Sequence, residues 1–183
     1  MTGNKKGYSL IELMVSISLF SIIILTTTQI FKLVVDGQRG AIAAQNVEES
    51  LKYFSEVTGK EMRMAQKNSD SACPGILANR IFSVTANGTS SDILKFMNRY
   101  NECVTYKLAN DTNGKQRFLI QRGIDSDWIT PAKVKMDTLH FTVNEAAQTQ
   151  PIVTINLKAH ALDQAQFISE MTIQTSISSR YYK

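Results

Sequence analysis

Proline is nearly missing from this chain. Only Pro74, Pro131 and Pro151 occur among its 183 residues. Nothing before Pro74 therefore forces a helix to break. Cysteine is as scarce, with Cys73 and Cys103 alone. So distant a pair lacks the C-x-x-C spacing of a structural zinc site. His140 and His160 are the two histidines, and neither has a Cys or His partner at ligand spacing. They read as structural or surface residues. The nine glycines are scattered, so there is no Gly-rich phosphate loop, and no G-x-S-x-G elbow occurs. The net charge of +4 is mild and its lysines and arginines are dispersed, which gives no case for nucleic acid. No catalytic, cofactor-binding or metal-binding set emerges, and nothing argues for an enzyme.

What is present is unevenly placed. An apolar share of 43% against 20% charged suits a globular chain rather than a disordered one. Yet the 19 residues Leu13–Phe31 carry no charge, proline or glycine. As a helix that run spans roughly 28 Å, close to a bilayer's hydrocarbon thickness. Ser16, Ser18, Ser21, Thr26, Thr27 and Thr28 interrupt it, and each can bond back to the helix. Lys5 and Lys6 precede it, and lysines before an apolar run stay cytoplasmic. Everything after Lys32 is then expected outside the cytoplasm. No small-residue cleavage stretch follows the run, so a retained anchor fits better than a conventional secretory signal.

Helical character continues to about Gln66. Val47, Leu51, Phe54, Val57 and Met62 recur mostly three or four apart, with charged residues between them. One long helix from about Tyr8 to about Gln66 is expected, first membrane-spanning and then amphipathic. KNSDSACPG ends it with polar and turn-forming residues. Beyond this the period becomes two. DILKFMN, CVTYKL, RFLIQR, TLHFTVN, PIVTINLKAH and FISEMTIQTSIS read as strands, with Asn113-Gly114 marking a hairpin turn. The expected class is α+β: a long N-terminal helix packed on an antiparallel β-sheet head. The expected segments are a leader at 1–7, a transmembrane half at 8–35, an amphipathic half at 36–67 and a β head at 68–183.

Cys73 and Cys103 both fall in the exported part, where an even count favours a disulfide; two free thiols are the other reading. A bond would tie the end of the helix to the sheet, contributing roughly 3–4 kcal/mol in the loop-entropy account. Asp125 and Asp127, in the expected loop GIDSDWITP, are two carboxylates that could hold a Ca²⁺ ion, though without the EF-hand spacing.

The most informative stretch is KKGYSLIEL, residues 5–13. A carboxylate among membrane-length apolar residues is expensive, and such groups face protein and mark a functional pairing. Were a peptidase to cut after Gly7, Tyr8 would become a positive amino terminus one helical turn from Glu12. That amine could answer Glu12 in its own chain or on the next subunit. A glutamate tolerated at headgroup level is the plainer alternative.

The stretch resembles the class III signal of type IV pilins and type II secretion pseudopilins. That signal is a short basic leader, a glycine, an aromatic residue, a glutamate and an apolar helix. The resemblance is sharp over residues 1–35 and architectural beyond. It implies cleavage after Gly7 by a prepilin peptidase and N-methylation of Tyr8. It implies that Glu12 pairs with the terminal amine of a neighbouring subunit. Partners would be other pilin or pseudopilin subunits and an inner-membrane assembly platform. The residue after the cut is usually Phe, and here it is Tyr8. Major pilins usually carry a proline midway along the apolar helix, and this chain has none. Its length and late strands resemble a minor pilin or the J-type minor pseudopilin. The expected role is structural, priming or capping a filament from an inner-membrane, N-in precursor. The alternatives are a ligand-binding adhesin or DNA-uptake subunit, and a permanently anchored single-pass protein.

Overall fold

The computed structural model describes residues 7–68, 73–146, 150–161 and 169–180. Residues 1–6 of the expected leader lie outside them, as do parts of the expected loops at 67–75, 144–151 and 161–166. One helix, α1 (Leu10–Arg63), runs for 54 residues. It is two to three residues shorter at each end than the periodicity predicts. Lys60 and Arg63 stand in its last turn, where cations meet the negative end of the helix dipole. By compactness the chain divides into two units, Met1–Ala41 and Ile42–Lys183.

In the first unit the apolar side chains are exposed all round. Leu10, Ile17, Phe20, Ile23, Leu25 and Phe31 are among them. No single stripe is set aside for a core. All six hydroxyls bond back to carbonyls one turn earlier: Ser16 to Glu12 at 2.8 Å, Ser21 to Ile17 at 2.8 Å, Thr27 to Ile23 at 2.8 Å, Thr28 to Ile24 at 2.8 Å, Ser18 to Val15 at 2.8 Å and Thr26 to Ile23 at 2.9 Å. Their polarity is thus answered inside the helix, which is what a hydrocarbon environment requires.

In the second unit the same helix shows a stripe. Ala43, Val47, Leu51, Phe54, Thr58 and Met62 are buried, at intervals of three or four. Eight strands follow: β1 (Phe82–Ala86), β2 (Asp92–Met97), β3 (Cys103–Asn110), β4 (Gln116–Arg122), β5 (Asp125–Trp128), β6 (Val134–Asn144), β7 (Ile152–Ala161) and β8 (Glu170–Ser178). They form two antiparallel meanders, β1-β2-β3-β4-β5 and β6-β7-β8. The helix-plus-antiparallel-sheet class holds, with the strands shared between two sheets. The period-two pattern does not mark β1, and the expected loop GIDSDWITP contains strand β5.

Alternation works as strand geometry demands. Val104, Tyr106 and Leu108 of β3 point inward, as do Val153, Ile155, Leu157 and Ala159 of β7. In β6 the inward set changes parity, from Val134 and Met136 to Leu139 and Phe141. The cause is a bulge between Met136 and Thr138, which inserts Asp137 and keeps the apolar face on the core. The two sheets meet at Asp92. Its carboxylate accepts from the Phe141 amide at 2.9 Å and lies 3.3 Å from His140 Nδ1. Leu139 N also donates to Ser90 O at 3.0 Å.

An aromatic chain joins helix to sheet. Phe54 and Phe118 ring centres are 4.6 Å apart, Phe118 and Tyr106 5.3 Å, and Tyr106 and Phe96 5.1 Å. These edge-on contacts suit the ring quadrupole and add to burial. The β3–β4 turn is as predicted. Gly114 has a φ of 72°, and the Asp111 carboxylate accepts from Asn113 N at 2.8 Å and Lys115 N at 3.0 Å. Those two backbone amides, the Lys115 bond foremost, hold the Asp111 carboxyl below its usual range.

Candidate functional site

The predicted processing residues sit where the helix begins. Gly7, Tyr8 and Ser9 are outside regular structure, and α1 starts at Leu10. The first intrahelical bond runs from Leu13 N to Ser9 O at 3.2 Å, which makes Ser9 the N-cap. Glu12 is then in the first helical turn, where the dipole favours a carboxylate. Ser9-Leu10-Ile11-Glu12 has the spacing of a capping box.

Among the described residues, a Cβ at position 7 would meet no atom within 4 Å. Tyr8 is 86% exposed and packs into no core. A residue that folding leaves unconstrained is available for recognition by something else. The helix that follows is long and apolar enough to cross a membrane, by length and composition.

The second predicted pairing is present as a disulfide. Cys73 and Cys103 are bonded, with their Cα atoms 5.2 Å apart and a sequence separation of 30. The link joins the segment after α1 to the start of β3. Asn68 supports it: its Oδ1 accepts from Cys73 N at 3.2 Å, and its Nδ2 donates to Ile76 O at 2.9 Å.

A third group escaped the sequence reading. Glu61 of α1 receives both arms of Arg122, Nε to Oε1 at 2.9 Å and Nη2 to Oε2 at 3.0 Å. The Tyr106 hydroxyl donates to the same carboxylate at 2.6 Å. Burial, reinforced by the Glu61 charge, pushes the Tyr106 hydroxyl well above its ordinary 10.0. The Glu61 hydrogen bond holds Arg122 more firmly protonated still. The cluster clamps helix to sheet. Helix periodicity puts Glu61 beside the buried Met62. Its partners lie 45 and 61 residues away, which no local pattern reveals.

His160 Nδ1 lies 2.6 Å from the Asp137 carboxylate, at the bulge. Both histidines therefore have carboxylate partners on neighbouring elements. Among the described residues no three His, Cys, Asp or Glu side chains gather as a metal would need. Asp125 and Asp127 lie on β5, exposed and sharing one strand face.

Residues 2–28 match the family described as the prokaryotic N-terminal methylation motif. No curated protein and no solved structure matches the chain.

Proposed function

We propose, from a chain whose N-terminus is that of a type IV pilin-like or pseudopilin-like subunit, that it is a minor structural subunit of such a filament. It carries no catalytic role. The apolar part of α1 anchors the precursor in the inner membrane, with the leader cytoplasmic and the β head outside. A prepilin peptidase cuts between Gly7 and Tyr8, and the new amino terminus at Tyr8 is methylated. Glu12 then meets the terminal amine of a neighbouring subunit, a pairing that exists only after the leader has gone. Extraction from the bilayer through an assembly platform places the apolar helix in the filament, where the subunit primes or caps the assembly.

The observation that carries this reading is Gly7. Among the described residues nothing crowds a side chain there, whereas a peptidase that must reach the backbone beside an exposed Tyr8 gives a reason for glycine. The even exposure of the apolar helix supports it, because a helix apolar on every side needs protein or lipid all round.

Mass spectrometry of the protein purified from cells holding a prepilin peptidase tests the reading. A methylated Tyr8 start is expected, and an intact leader would overturn it. Glu12→Ala separates processing from assembly. Insertion and cleavage should proceed normally, while incorporation into filaments falls by roughly tenfold or more. Unchanged incorporation would show that Glu12 is no assembly contact.

A further inference from the structure

A hollow of about 230 Å³ opens beside the last turns of α1, where the helix meets the loop 98–102 between β2 and β3 and the end of β4. Val57 and Met64 of the helix and the Tyr100 ring give it an apolar lining. Val57 also packs on the core, while Tyr100 is 64% exposed and faces solvent. All these walls belong to the Ile42–Lys183 unit.

Four charged side chains line the same hollow: Lys60, Glu61, Arg99 and Arg122. Glu61 and Arg122 neutralise each other through two bonds, and Tyr106 donates to the same carboxylate. Lys60 and Arg99 are left over, and among the described residues neither has an ion pair. Arg99 is held in place all the same. Its guanidinium carbon lies 4.5 Å from the Tyr100 ring centre, Nη2 donates to the Tyr100 hydroxyl, and Nη1 reaches Met64 Sδ at 4.0 Å. A guanidinium carries more N–H donors than these contacts use. Glu102, at the end of the same loop, accepts from Asn98 Nδ2 at 2.8 Å and leaves Arg99 unanswered. An apolar floor under two uncompensated positive charges fits one kind of ligand: an anion with an apolar body.

We propose that this hollow binds a small free monocarboxylate, its carboxylate between Lys60 and Arg99 and its apolar body against Val57, Met64 and Tyr100. Volume sets the size, because 230 Å³ lies below the roughly 300–1,000 Å³ of sites that bury drug-sized ligands. Charge sets the class. The hollow lies at the negative end of the α1 dipole and beside Glu61, which favours one negative charge over the two of a phosphate. The planar guanidinium of Arg99 matches the planar carboxylate. This site is independent of the filament reading.

Titration of phenylacetate into the full chain in detergent micelles, followed by NMR at the Met64 methyl, tests it. A saturable shift with a Kd in the millimolar range or tighter is expected. Phenylacetamide, the same body without the charge, should bind about tenfold more weakly, and so should phenylacetate to Lys60→Gln or to Arg99→Gln. Both side chains are exposed, so each variant should keep the parent's melting temperature. Six results would overturn the proposal: no saturable shift; equal binding of acid and amide; unchanged binding in both variants; tighter binding of phenyl phosphate than of phenylacetate; a Met64 shift that follows protein concentration without probe, which would make the occupant a second copy; or binding that appears only when residues 181–183 are deleted, which would make it the chain's own end.

Discussion

Leu25 and Leu51 are the same residue on the same helix, and their fates are opposite. Leu25 is 64% exposed and Leu51 fully buried. The difference lies in their neighbours. Around Leu25 every helix face is apolar or carries a hydroxyl turned back onto the backbone. Around Leu51 one face is apolar and the others carry Glu48, Glu49, Lys52 and Glu56. One stripe suits a single core, whereas a uniformly apolar surface needs an apolar solvent. A continuous helix can therefore belong to two environments, and the division between them is written in pattern rather than in propensity.

Paired substitutions sharpen that contrast. The largest effect is expected from Phe54→Ala, which empties the space against Phe118. It should destabilise the head by about 3–5 kcal/mol in chemical denaturation, while Phe20→Ala leaves that transition unmoved. An equal response to both would erase the distinction. Removing the disulfide with Cys103→Ala should cost the head roughly 3–4 kcal/mol, read as a lower denaturation midpoint that reductant does not shift further.

Next comes the clamp. Glu61→Gln loses the charge that holds Arg122 and Tyr106, at a cost of about 1–2 kcal/mol because Arg122 is partly exposed. Tyr106 also sets a pH dependence. Its folded pKa lies above 10.0, so in strong alkali the unfolded chain loses this proton before the folded one does. Its contribution is complete below pH 10 and declines as pH rises above it. Tyr106→Phe should remove that alkaline decline from the unfolding profile.

The smallest effect has the opposite sign. Alanine at Gly59 would find Ile177 Cδ1 at 3.7 Å, an ordinary contact, and would stiffen the helix. Gly59→Ala should stabilise the head by about 0.5–1 kcal/mol, whereas Gly37→Ala should leave head unfolding unchanged.

Helix and hairpin were legible because their signals are local. Three-to-four spacing, the Asn113-Gly114 turn and the unbroken apolar run each lie within a short window. The misses have equally definite causes. β5 is Asp-Ser-Asp-Trp, a composition poor in strand formers, and it exists because β4 offers a ladder to pair with. β6 extends back to Val134, but the Asp137 bulge reverses the alternation, so the period restarts at Thr138. The Glu61 clamp and the division into two sheets depend on contacts far apart in sequence. At the N-terminus the position was the reverse. The motif was plain in the residues, and the fold adds that neither Gly7 nor Tyr8 is needed to build it.

The stripe from Ala43 to Met62 has a mechanical meaning. It lies along the helix axis for roughly 30 Å. A force drawn along that axis loads its side chains, the Glu61 clamp and the Arg180 N to Arg63 O bond of 2.8 Å in shear, all at once. A force across the axis would peel them off one by one. The head is therefore toughest against a load along the axis of its own Ala43–Met62 stripe.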